Sequence, residues 1–185
     1  MATYDDFAAA VAALQDDFII VGSEQPPDDA AIDEMAARLG VRLPASYREL
    51  VGAHAALAIE AKEEVWPAPK PLQVGPYWSF LRGFEVLAFG PDVPDFLQLE
   101  PETRVFRQET GLDWTPFAAQ TGSGDRFCFL PDGTIVEWFH DEPPAEPGDE
   151  RVAAADVYEL LVKLANRLAE NVERIKRGEH LPKDG

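Results

Sequence analysis

The sequence predicts an α+β fold, a mainly antiparallel sheet flanked by N-terminal helices and a C-terminal helix. Three observations carry that expectation. Apolar residues recur at helical spacing through the first 54 residues, strand-like segments cluster between residues 84 and 140, and a long amphipathic stretch follows them. Helices first, strands grouped and a helix last is the order of an α+β fold rather than of alternating β-α-β units. At 185 residues the chain fits one domain with a sizeable core. The expectation is a single domain over residues 1–178, with an extra helix at residues 3–20 and a flexible tail at residues 179–185.

Thr3 is placed to cap the first helix, with Asp6 three residues on in a variant of the capping box. Phe7, Val11, Leu14 and Phe18 continue at helical spacing. After a loop at residues 23–29, Asp28 or Asp29 caps a second helix whose Ile32, Met35, Ala36 and Leu39 form one stripe. Gly40 stands where a left-handed C-terminal residue is needed. Pro44 falls in the first turn of a third helix, where its missing N–H is harmless, and Tyr47, Leu50, Val51 and His54 share a face.

Residues 63–78 carry four prolines and read as an extended loop that buries Trp66 or Trp78. A strand is expected at residues 84–90, a loop and a short helix near residues 103–109, and another strand at residues 114–120. Residues 124–142, GDRFCFLPDGTIVEWFHDE, form a hairpin. Phe127 and Phe129 point to one face, Arg126, Cys128 and Leu130 to the other, and Pro131-Asp132-Gly133 supplies the turn. The return strand is apolar on both faces, Ile135 and Phe139 on one, Val136 and Trp138 on the other, so it belongs inside a covered sheet. A Pro-rich acidic loop at residues 141–150 leads to a last helix from about residue 154 to 177, with Leu160, Leu161, Leu164, Leu168, Val172 and Ile175 on one stripe.

The charge balance excludes some functions. Against 16 Lys and Arg stand 34 Asp and Glu, a formal net charge of −18. Such a surface repels phosphate backbones, which disfavours direct nucleic-acid and anionic-membrane binding, and attracts basic partners. Solubility or a proteome-wide acidic bias accounts for the charge equally well, and only 5 of the basic residues are Lys. One cysteine, Cys128, allows no internal disulfide and no Cys-based zinc cluster. No basic N-terminal segment with an apolar run and no membrane-length apolar stretch is present, so the expected location is the cytoplasm.

The trio His140-Asp141-Glu142 is the strongest enzyme signal, as metal ligands or as a hydrolytic site of His140 with nearby carboxylates. A metal needs ligands converging within about 2 Å of one point, whereas adjacent strand residues face opposite sides. His54 and His180 have no ligand spacing to it. The trio therefore reads first as a strand entering a loop. Cys128 reads as a small buried apolar residue, and residues 121–125, TGSGD, lack the Lys and helix of a phosphate loop.

Two segments together resemble the SMI1/KNR4 (SUKH) superfamily. In residues 32–50 the resemblance rests on Ile32, Leu39-Gly40, Leu43-Pro44, Tyr47 and Leu50; in residues 122–142 it rests on Gly124-Asp125, Phe127, Gly133, Val136 and His140. The Asn-Gly-Gly that commonly follows the Tyr helix in this family is replaced here by Gly52-Ala53-His54. The resemblance implies an α+β domain without catalytic activity or cofactor. Many bacterial members look like immunity proteins that neutralise a toxin, often a basic nuclease, and fungal members look like regulatory scaffolds. An immunity protein that occludes a basic toxin is the leading expectation, and an adaptor for a cellular protein is the alternative. Its contacts are expected at Asp92, Asp95 and Glu100, at Asp141, Glu142 and Glu146, and at Trp66 as an aromatic anchor on the Pro-rich segment.

Overall fold

A computed structural model describes residues 2–14, 16–23, 25–67, 75–142 and 150–179. Five α-helices and one seven-stranded sheet are formed by these residues. In chain order they are α1 (Tyr4–Ala12), β1 (Phe18–Gly22), α2 (Asp29–Leu39), α3 (Ala45–His54), β2 (Leu57–Ala61) and β3 (Gly83–Val86). There follow α4 (Leu99–Thr110), β4 (Thr115–Thr121), β5 (Arg126–Phe129), β6 (Ile135–Trp138), β7 (Arg151–Ala154) and α5 (Val157–Lys176). The strands lie side by side in chain order and every neighbouring pair is antiparallel. The predicted α+β class is therefore correct.

Local signals explain most of the element ends. Thr3 Oγ1 accepts from the Asp6 N–H and Asp6 Oδ2 accepts from the Thr3 N–H, closing the capping box of α1. Asp28 caps α2, Asp156 caps α5, and Gly40 ends α2 at φ 67°. The stripe Leu160, Leu161, Leu164, Leu168, Val172 and Ile175 buries α5 in the main core, and Tyr158 stacks on Phe7 of α1.

The sheet is covered on both faces, unequally. Phe84, Val86, Phe117, Phe127, Phe129 and Ile135 pack against α1, α2, α3 and α5 in the main core. On the opposite face Cys128 and Val136 meet Phe106 of α4 and Trp114 in a smaller cluster, with Trp138 edge-on to Phe106. The hairpin alternation read from the sequence holds, with Phe127 and Phe129 in one core and Cys128 in the other.

Six elements differ from expectation. The helix expected at residues 3–20 stops at Ala12, and Phe18 opens a strand instead. Ile19, Ile20 and Val21 are β-branched and stiff, which suits a pleated ladder better than a helix. β2 and β7 were not expected, and α5 begins at Val157 because Arg151–Ala154 pairs with β6. α4 starts at Leu99, earlier than residue 103, and holds Pro101 within its first turn. Of the expected tail, Glu179 is bonded to Arg174 and Arg177, and residues 180–185 lie outside the described residues.

Candidate functional site

The end of the hairpin is a clasp. Asp125 Oδ1 accepts the backbone N–H of His140 (3.0 Å), and its Oδ2 accepts the hydroxyl of Tyr77 (2.9 Å) from the 3-10 turn Tyr77–Phe80. The Tyr77 hydroxyl is held above its ordinary pKa by burial first and then by Asp125. The imidazole of His140 lies against the bare backbone of Gly124, where a Cβ would stand 2.9 Å from His140 Cβ and Cγ. Its ring also meets Trp138 edge-on at 5.9 Å. Gly124, Asp125 and His140 thus join strand ends. Each oxygen of Asp125 accepts one of these bonds, and among the described residues no three His, Cys, Asp or Glu side chains are placed to hold one metal ion.

This geometry separates two substitutions. Asp125→Ala removes both bonds and is expected to lower stability by about 1–2 kcal/mol. His140→Ala keeps the N–H that Asp125 accepts, and its expected cost is below about 1 kcal/mol. Urea unfolding of the two variants checks the order.

Other reactive groups are similarly engaged. Cys128 is buried and its thiol is pushed far up by desolvation, so it is no nucleophile. His54 Nε2 is hydrogen-bonded to the Tyr4 hydroxyl at 2.7 Å and stacked on its ring. An open cleft of about 720 Å³ lies among the N-terminal ends of α1, α3 and α5, lined by Asp5, Glu49 and Asp156. Its groups bond one another: the Tyr158 hydroxyl donates to Glu49 (2.9 Å) and the Tyr158 N–H to Asp156 (2.8 Å).

The residues expected to bind a partner do not form one patch. Trp66 is 1% exposed, packs edge-on to Trp78, and donates its indole N–H to the Ser79 carbonyl at 3.0 Å. It is a core residue and not an exposed anchor; the segment folds inward because its indole finds both apolar cover and an acceptor. Asp92 and Asp95 are exposed beside the exposed ring of Phe96. Glu100 is paired with Arg38 at 3.4 Å. Asp141 and Glu142 are exposed past β6, and Glu142 is bonded to Arg151 at 2.9 Å. Glu146 lies outside the described residues. The register sets the two groups apart. Val86, Thr115, Phe129 and Ile135 mark one end of the strands, near which the loop with Asp92 and Asp95 leaves, while Trp138 lies at the other end with Arg126 and Thr121.

A family model of the SMI1 / KNR4 family (SUKH-1) matches residues 26–163. The chain belongs to this family. Searches of curated proteins and of solved structures returned no match. The matched span runs from α2 into α5 and contains both segments that carried the resemblance. Within the SUKH-1 frame their motif residues are structural. Gly40 turns the chain out of α2, the Arg42 N–H donates to the Pro131 carbonyl (2.9 Å), and the Tyr47 hydroxyl donates to the Leu87 carbonyl (2.6 Å).

The SUKH-1 sheet also displays acids that the sequence reading passed over. Glu60 on β2 and Glu85 on β3 point to the α4 side of the sheet, because Leu57, Ile59 and Ala61, and Phe84 and Val86, point into the main core with α1, α2, α3 and α5. The Glu85 carboxyl is held above its usual range by burial first, with Glu102 of α4 and Glu60 adding and Arg126 opposing. Arg82 reaches Glu60 at 3.8 Å. The alternation in LAIEA, residues 57–61, was the available signal.

Proposed function

We propose that this chain is a cytoplasmic immunity protein that neutralises a cognate bacterial toxin by stoichiometric binding, without catalysis and without a cofactor. Membership of the SMI1/KNR4 family is the observation that carries the proposal. Two further features support it. Of the groups that resembled chemistry, Asp125 accepts two internal hydrogen bonds and Cys128 is buried, while His140 enters the clasp through its backbone N–H. The formal charge of −18 is suited to meeting a basic nuclease surface and covering its cleft. Among the described residues no helix is long and apolar enough to cross a membrane.

The test is co-expression with the product of the neighbouring gene. Growth restored by this chain is the expected result; arrest that persists while both proteins accumulate contradicts the proposal. The electrostatic part has its own measurement. Raising salt from low ionic strength to well above physiological is expected to slow association by on the order of tenfold, since the screening length shrinks to about 3 Å at 1 M. Stopped-flow mixing reads this rate, and indifference to salt removes steering from the mechanism.

A further inference from the structure

β1 and β7 are the two edges of the sheet, and they are built differently. β7 breaks register against β6 at Ile135/Val136, and its Arg151 sits over the Phe139 ring and bonds Glu142. Irregularity and charge of this kind blunt an edge against further strands. β1 has neither. Its five residues, FIIVG, pair with β2 in unbroken register and contain no charge and no proline. β1 also lies outside the span matched to the family.

The outward-facing backbone groups of β1 follow from its neighbours. In an antiparallel ladder a residue directs its N–H and C=O to one side, and the side alternates along the strand. The Lys62 N–H donates to the Asp17 carbonyl, whereas the Ala61 N–H donates to the Arg82 carbonyl on the β3 side, both at 2.9 Å. Ala61 therefore turns from β1, and its partner Phe18 turns from β2. Alternation then aims Ile19 and Val21 at β2 and leaves the N–H and C=O groups of Phe18, Ile20 and Gly22 on the outer edge. Among the described residues, nothing bonds to these groups.

The side chains along this edge are apolar and acidic, with Arg82 3.8 Å from Glu60 and with Lys62 and Lys176 bonded to Asp16 and Asp17 at its N-terminal end. Ile19 and Val21, 55% and 49% exposed, project from the face away from the main core. Ile19 stands opposite Glu60, Val21 opposite Ala58, and Ala58 opposite Glu85. A strand added to β1 would lie roughly 10 Å from β2, a gap that a Lys or Arg side chain and the Glu60 carboxylate can close between them.

We propose that the free edge of β1 is the docking site for an extended segment of a basic protein partner. The segment joins the sheet through Phe18, Ile20 and Gly22, sets aliphatic residues against Ile19 and Val21, and directs Lys or Arg toward Glu60. The basicity of the partner rests on the immunity reading and on charge complementarity with Glu60, Glu85 and Glu102. A second copy of this chain is the rival occupant, but each copy carries a formal −18 and β1 offers no cation to offset the repulsion.

The experiment is amide hydrogen exchange on the intact protein, alone and with a capped alternating Lys-Val peptide as the probe strand. Exchange at Phe18, Ile20 and Gly22 is expected to slow roughly tenfold or more, with no slowing from a Glu-Val peptide and none in Ile19→Lys. Unchanged exchange at these three amides, equal slowing by both peptides, or full slowing in folded Ile19→Lys overturns the proposal. Slowing that depends on protein concentration without peptide assigns the edge to a second copy and also overturns it. Growth rescue separates this result from the immunity reading. Rescue by folded Ile19→Lys and Ile20→Pro as strong as wild type keeps immunity and removes the edge; proline is tolerated where the N–H faces outward. Peptide protection at β1 without any rescue by the wild-type chain keeps the edge and removes immunity.

Discussion

Tyr47→Ala is expected to lower the free energy of unfolding by about 3–5 kcal/mol, the range for deleting a buried aromatic side chain. Tyr47 is fully buried on α3, edge-on to Phe129 at 5.1 Å and to Phe117 at 5.8 Å. Those two rings are stacked with centroids 3.9 Å apart, so the cavity opens at the centre of the main core. The hydroxyl contributes separately. It donates to the Leu87 carbonyl just past β3, and desolvation holds its pKa well above the ordinary tyrosine value. Tyr47→Phe keeps the ring and leaves that carbonyl without its donor, for an expected loss of about 1–2 kcal/mol. Chemical denaturation reads both values as shifts of the midpoint at unchanged slope. A loss from Tyr47→Ala no larger than that from Tyr47→Phe contradicts the placement of the ring.

Gly133→Ala is expected to cost about 2–4 kcal/mol, combining backbone strain with a steric contact. Gly133 turns the β5–β6 hairpin at φ 92°, and a Cβ there would stand 2.7 Å from the Arg42 carbonyl oxygen. Arg42 lies in the step between α2 and α3, and its N–H already donates to the Pro131 carbonyl. The added methyl therefore pushes apart the two segments that carried the family resemblance. Gly111→Ala is the control. Gly111 has φ 73°, and a Cβ there would meet nothing within 4 Å. Its cost should be near the left-handed penalty alone, about 1–2 kcal/mol. Equal costs at the two positions would mean that the hairpin turn does not rest on Arg42.

What was legible in the sequence was what neighbours in the chain decide. The hairpin followed from alternation and from Pro131-Asp132-Gly133, and α2 from Asp28 and Gly40. β1 was hidden because Phe18 continued the spacing of Phe7, Val11 and Leu14, and the competing vote of Ile19-Ile20-Val21 is settled by pairing with β2, far along the chain. β7 is short and is held by β6 rather than by a pattern of its own. The inward turn of Trp66 depends on an acceptor at Ser79 that no spacing rule supplies. For the candidate site, composition reported an acidic surface but not its layout. Asp95 and Asp141 belong to loops at opposite ends of the strands, whereas Glu60 and Glu85 stand on adjacent strands only because the register brings Ala58 opposite Glu85.

On the proposed function, two packed segments build a scaffold which occupies a toxin and leaves it chemically unchanged. Titrating the purified toxin's activity with this chain distinguishes occupation from modification. A linear fall to zero at molar equivalence is expected, with activity recovered when the complex is dissociated and the toxin refolded alone. Complete inactivation by a small fraction of an equivalent, or a toxin that stays inactive after separation, would reveal catalytic modification and contradict that function.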